Sequence, residues 1–476
     1  MQTLSQTKWF YAVMLAFVAI QCLCLSMEFF WLPAISGVLL ILLFAVFALD
    51  KLVLLIVFLV PISLNVELGE MGSSINLPTE PLMFGVLCIF IFRILYQGGI
   101  DSKLIKHPIT IIILLQLSWM LIASFSSTLP MVSLKYTLSR LWFVAPFFFV
   151  MSQVFRKSAN IDWFVWLFAI PLCGVIGYSI INLYESGFDK EALYWVMEPF
   201  FKDHTIYGAV LALIFPITIV YGFHLHFSLP QRYMALFFVG FIFLGILLSY
   251  TRAAWLSLMG AFVCFLLIYF RVKAWLIAFM AILVLGFAWI NQQDLLIKIS
   301  RNKQSSSKNL GEHLQSVSNI KNDASNLERL NRWSSAVRMG MAKPLTGFGP
   351  GTYKFKYGPF QRSNETTWVS TNSGRFGNAH SEYLGPFAEQ GLPGLILVIV
   401  LFAASIMTGI KVFRNTESSL LKWLAMGALL GIISYIIHGF LNNFLDSEKA
   451  AAPFFALLAL LVAVDVYYPK LSKSAT

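Results

Sequence analysis

Charge is scarce in this sequence. Of its 476 residues only 12% are Asp, Glu, Lys or Arg, about half the share found in soluble domains. A soluble globular chain is thereby excluded. Cysteine is scarce as well. Cys22, Cys24, Cys88, Cys173 and Cys264 all fall in apolar runs, and an odd number so placed supplies neither a disulfide framework nor a ligand cluster. They are expected as small core residues. The histidines show no zinc spacing. The close carboxylates of Asp189-Lys190-Glu191 and Asp446-Ser447-Glu448 are too short a pattern to assign a divalent ion. No small-residue cleavage site follows the first apolar run, which is expected to remain as a span. Short alternating apolar segments are lacking, and this excludes an outer-membrane barrel. There is no internal repeat, and no nucleic-acid partner is expected.

What the chain has in abundance is apolar sequence, 58% of all residues. It comes in runs of about 18–22, long enough to cross about 30 Å of hydrocarbon as helices. The spans are placed at 9–27, 29–49, 52–65, 81–97, 108–126, 136–154, 162–184, 205–223, 232–250, 252–270, 273–290, 392–412, 421–441 and 450–467, about fourteen crossings. The third is short and contains Pro61, so it reads as tilted or re-entrant, and twelve or thirteen crossings stay open. An all-α polytopic membrane protein follows. Short-loop charges sort cleanly by side. Lys51, Arg93, Lys103, Lys106, Arg156, Lys157, Arg232, Arg271, Lys273, Lys411, Arg414, Lys422, Lys470 and Lys473 take one side. Glu28, Glu67, Glu70, Glu80, Glu185, Asp189, Glu191, Glu198, Asp203, Asp446 and Glu448 take the other. Both termini are therefore expected in the cytoplasm, with residues 291–391 outside, in a bacterium the periplasm. The domains are expected as a bundle over 1–290, a periplasmic loop over 291–391, and closing helices with a cytoplasmic tail over 392–476.

The loop carries 13 bases against 7 acids. Long loops escape the charge rule, and a basic outer surface suits an anionic partner such as a diphosphate. A solvated face is the plain alternative. Residues 300–324 read as flexible. Ser325-Asn326-Leu327-Glu328 has capping-box spacing before a helix with Arg329, Arg332 and Arg338 off its apolar face, ended by Lys343-Pro344. Gly347-Phe348-Gly349-Pro350-Gly351 reads as a turn, because the Lys of a phosphate loop is missing. A second helix is expected from Ala379 with Asn378 as its cap, a kink at Pro386 and a stop at Gly391 and Pro393.

His380 would then occupy the first turn of that helix. A helix N-terminus opposes protonation, and a neutral imidazole is what a general base needs. Glu382 and Tyr383 are close enough in sequence to orient it or a sugar. Arg252, after Ser249-Tyr250-Thr251, and Arg140, beside Lys135, fall at the outer rim, where a guanidinium could grip a diphosphate or snorkel to head groups. His438 lies within a span with Asn442 and Asn443 following. It is either a functional polar residue or a helix-to-helix hydrogen bond.

Four segments taken together resemble the bacterial O-antigen ligase and O-antigen polymerase superfamily. They are Phe201-Lys202-Asp203-His204 leading to Pro216; Thr251-Arg252-Ala253-Ala254-Trp255, with Tyr250-Thr251 and Ala253 departing from the family's T-S-R-G-x-W; Arg329-x-x-x-Trp333 leading to Pro344 through Gly351; and His380-Ser381-Glu382-Tyr383-Leu384 leading to Glu389-Gln390-Gly391-Leu392-Pro393-Gly394. The resemblance implies an inner-membrane glycosyltransferase of the C-like fold type, with about 12–14 transmembrane helices and one large helical periplasmic loop. It implies a glycan donor linked to undecaprenyl diphosphate, an acceptor hydroxyl on lipid-A core, polysaccharide or protein, membrane lipid as surroundings, and neither metal nor other cofactor. It carries His380 over as the catalytic residue and Arg252 and Arg329 as diphosphate ligands; Arg140 rests on its place among the spans. Ligase and polymerase share that donor site. A transporter of an anion or a lipid-linked sugar is the alternative from another class, against which stands the lack of paired broken helices in matching halves. A sensor would need a cytoplasmic output domain.

Overall fold

A computed structural model describes residues 2–27, scattered residues of 28–47, and residues 48–68, 73–189, 192–273, 275–276, 324–362 and 377–468. The expected span 273–290, most of the span 29–49 and the expected flexible stretch 300–323 lie outside the described residues.

The molecule is an all-α polytopic membrane protein. Ten described helices are long and apolar enough to cross a membrane: Thr79–Tyr96, Pro108–Phe125, Pro130–Val154, Ala159–Glu185, His204–Phe223, Leu229–Leu248, Arg252–Tyr269, Leu384–Asn415, Ser419–His438 and Glu448–Tyr467. Each coincides with an expected span. A helix also runs over Gln2–Ser26. The helix Leu49–Leu59 has only 11 residues, about 16 Å, and cannot cross. The chain turns at Val60-Pro61 and enters a hairpin of β1 (Leu64–Leu68) and β2 (Ser73–Leu77), antiparallel with Leu64 opposite Leu77. The apolar run over 52–65 therefore breaks into half a helix and a strand, a division its composition does not mark.

The last helix stands inside the bundle. Every side chain from Glu448 to Val464 is buried. Its polar first turn is held in that position by partners. Glu448 accepts hydrogen bonds from the Ser63 and Thr79 hydroxyls. The Lys449 ammonium donates to the Val60 carbonyl at 2.7 Å, the Ser63 carbonyl at 2.9 Å and the Ser63 hydroxyl at 2.6 Å. A buried charge is tolerated when satisfied in this way. Helix 204–223 packs beside helix 419–438. Small residues let the backbones close: a Cβ on Gly431 would stand 2.2 Å from the Leu213 carbonyl oxygen.

On one end of this bundle lies the amphipathic helix Ala324–Ala342 against helix 384–415. Ser325, the expected cap, already lies within its described part, and the helix stops ahead of Lys343-Pro344 as expected. The helix expected from Ala379 begins instead at Leu384. Residues 379–383 are a non-helical turn in which the Ser381 hydroxyl accepts from the Tyr383 and Leu384 N–H groups at 3.3 and 3.4 Å. Ser381, not Asn378, thus serves the free donors of that helix start. Pro386 sits in the first turn, where it costs no hydrogen bond, and the break falls at Gly391 (φ 69°, ψ −165°), after which the helix resumes.

Candidate active site

The glycine-rich turn and the helix break form one unit. Gly347, Gly349 and Gly351 all have positive φ, which makes 347–351 a turn as expected. Its N–H groups are already used: Gly349 donates to the Glu389 carbonyl at 2.8 Å, Gly351 to Glu389 Oε2 at 2.8 Å, and Tyr353 to Glu389 Oε1 at 2.9 Å. Leu392 N–H donates to the Pro344 carbonyl at 2.7 Å. Of these N–H donors none is left to cradle a phosphate. The turn instead fixes where helix 324–342 stands relative to the bundle. Two segments of the sequence pattern, Pro344–Gly351 and Glu389–Gly394, are therefore the two sides of one contact.

Helix 324–342 then holds the histidine. Trp333 Nε1 donates to the His380 carbonyl at 3.1 Å. The His380 N–H donates to Asn378 Oδ1 at 3.2 Å, and Arg332 Nη1 reaches the Asn378 carbonyl at 3.2 Å. With both backbone groups bonded, His380 is kept at φ 47°, a left-handed conformation uncommon outside glycine. Its imidazole is half-buried. Burial, then the Arg332 and Arg329 guanidiniums, pushes its pKa down to about 4, while Asn442 and Asp203 pull the other way. The ring is neutral at neutral pH, as expected. The cause is burial and two arginines, not a helix terminus, since the helix begins four residues later.

Asn442 joins two histidines. Its amide nitrogen donates to His438 Nε2 at 3.1 Å, and its side chain is hydrogen-bonded to His380. His438 is buried, lies against the Ala253 backbone and feels the charges of Arg329 and Asp203.

The same neighbourhood takes in the joint before helix 204–223. Asp203 caps that helix, accepting from the Thr205 and Ile206 N–H groups at 2.8 and 3.0 Å. His204 is packed edge-on to Tyr194, ring centroids 5.1 Å apart, beside Asp203 and Arg329. The Thr251 hydroxyl donates to the His204 carbonyl at 2.8 Å. That bond ties the first and second segments together and sets Arg252, half-buried at the start of helix 252–269, next to them.

His380 and His438 are therefore both within electrostatic reach of Arg329, with Arg252 at the adjoining joint. Arg140 does something else. Its guanidinium donates to the Leu445 carbonyl at 2.8 Å and the Tyr136 hydroxyl at 3.3 Å, bracing the turn after helix 419–438. Glu382 braces the same turn, accepting from the Tyr435 hydroxyl at 2.5 Å and the Phe444 and Leu445 N–H groups at 2.8 and 2.9 Å. The Tyr383 hydroxyl donates to the Ile436 carbonyl at 3.0 Å, and its ring stacks on Phe440. Neither side chain is directed at His380. Asp203, His204, Arg332 and Asn442 join the site without having been given a role from the sequence, although Asp203-His204 stands in the first segment of the resemblance, Arg332 among the arginines of its helix and Asn442 four residues after His438. Among the described residues no group of three or more His, Cys, Asp or Glu is gathered for a metal.

Such a site offers a neutral base bounded by fixed cations at the end of an apolar bundle, a setting for an anionic head group carried on a lipid. No curated protein matches the chain. Residues 235–399 match the family model described as O-antigen ligase.

Proposed function

We propose that the chain is a membrane glycosyltransferase of the O-antigen ligase and polymerase type, a reading supported by the match over residues 235–399, and that it moves a glycan from undecaprenyl diphosphate to an acceptor hydroxyl at the His380 end of the bundle. That end is read as the periplasmic face of the inner membrane, from the segregation of short-loop charges. The observation that carries the reading is the imidazole of His380, held neutral by burial and by the Arg332 and Arg329 guanidiniums beside it.

The acceptor hydroxyl gives its proton to the free nitrogen of His380 as its oxygen attacks the anomeric carbon. The bond from that carbon to the diphosphate oxygen breaks on the opposite face, so the anomeric centre inverts. Negative charge grows on the departing diphosphate, and Arg329 and Arg252 stabilise it. Arg332, ion-paired with Glu328 at 2.8 Å, helps keep the imidazole unprotonated. Arg140, carried on its rim position in the sequence, acts on the floor of the site through the 439–446 turn. His438 and Asn442 hold the base in one tautomer.

Transfer measured with a polyprenyl-diphosphate glycan in reconstituted membranes tests this. His380→Ala is expected to lose at least about 100-fold in turnover, the contribution of a positioned base. Arg329→Lys, which keeps the charge but not the planar fork, is expected to recover little of what Arg329→Ala loses. Full turnover by His380→Ala would overturn the assignment.

A further inference from the structure

A second feature lies at the other end of the bundle. Four elements meet there: the start of helix 49–59, the end of helix 79–97, the end of helix 130–154 and the start of helix 159–185. The opposite termini mark the His380 end, where the Thr128 N–H donates to the Phe348 carbonyl at 2.9 Å. Between the four elements is an open cavity of about 360 Å³. One side is apolar, formed by Leu49, Phe90, Ile94, Val150 and Val154. The other carries Arg93, Arg156 and Lys157 against the single acid Asp50. Arg156 is anchored, ion-paired with Asp101 and with its guanidinium 4.6 Å above the Tyr467 ring. Lys157 is exposed, and Arg93 is half-buried.

We infer that this cavity binds an anionic phospholipid, its phosphate on Arg93 and Lys157 and the upper part of its chains along the Val150 and Val154 wall. With Arg156 paired to Asp101, Arg93 and Lys157 against Asp50 leave the site with a net positive charge, which favours a net negative head group over a zwitterionic one. The apolar wall adds nothing for a free anion but gains from burying methylenes. A bundle end flanked by apolar helix faces is also where lipid head groups stand. The site is separate from the proposed donor site, and the inference does not depend on the reaction.

The test is lipid retention. The full chain is reconstituted with phosphatidylglycerol in phosphatidylcholine, returned to detergent, and its bound lipid counted by native mass spectrometry. The wild type is expected to retain phosphatidylglycerol selectively, and millimolar inorganic phosphate is expected not to displace it. Arg93→Gln with Lys157→Gln is expected to lower retention by roughly tenfold or more. Lys157→Glu, a change at an exposed position that leaves folding intact, is expected to lower it as well. Val154→Trp fills the apolar wall with both bases in place and is expected to exclude the lipid. Equal retention of phosphatidylcholine, displacement by phosphate, or unchanged retention in Lys157→Glu would each overturn the inference.

Discussion

The imidazole of His380 is governed by groups that do not touch its reacting nitrogen. Burial and Arg332 hold its pKa near 4, so its base form dominates down to mildly acid pH. The kcat/KM of transfer is therefore expected to stay flat from pH 7 to about 5 and to fall around 4, since the limb reports the free enzyme. Arg332→Gln removes a cation that opposes protonation. The folded pKa then rises toward 6.5, and the limb moves up with it. A wild-type limb already at 6.5 would remove the case for a buried, cation-bounded base. Asn442→Ala takes away the side chain that, in the proposed mechanism, holds the base in one tautomer. Turnover is expected to drop by about tenfold or more with donor KM little changed, where a merely structural loss would change both. From the sequence His380 was legible as a candidate base, but its environment was not. The arginine that most affects it is 48 positions earlier, and only packing brings the two together.

At the scale of elements, the site depends on one joint. The break at Gly391 lets the chain pass the Pro344–Leu345 carbonyls, and a Cβ there would stand 2.3 Å from the Leu345 oxygen at a φ of 69°. Gly391→Ala is expected to cost at least about 1–3 kcal/mol in backbone strain alone, read as a lower thermal midpoint in detergent. Glu389→Ala strands the Gly351 and Tyr353 N–H groups, at about 1–3 kcal/mol for each that stays unsatisfied. Faster hydrogen exchange at those two amides is the expected sign; unchanged exchange would mean that the turn stands without Glu389. A stop at Gly391 and Pro393 was legible from residue type. That it is a hinge packed against Gly347–Gly351 was not, because a turn motif states its own φ requirement and nothing about its partner.

For the whole molecule, the last helix is the one the others surround. Its Glu448-Lys449 start, buried against Ser63, Thr79 and Val60, joins the C-terminal end of the chain to the break after the eleven-residue helix. Lys449→Met leaves the Glu448 carboxyl and the Val60 and Ser63 carbonyls without their buried cation and is expected to destabilise by about 3–5 kcal/mol. Adding Glu448→Gln is expected to recover part of that. Strictly additive losses in thermal unfolding would show that the two charges are not coupled.

Composition and run length by themselves determined the class of this protein: all-α, polytopic, with a polar segment late in the chain. They do so because every backbone group in hydrocarbon must bond within its own helix, so that each span is legible alone. The tertiary structure alone decided which spans are central, that a hairpin follows the short helix, and that Asp203, Arg329, His380 and Asn442 share one space. Those four residues come from four separate stretches. Periodicity relates side chains within one element, and only packing brings separate elements to the same place.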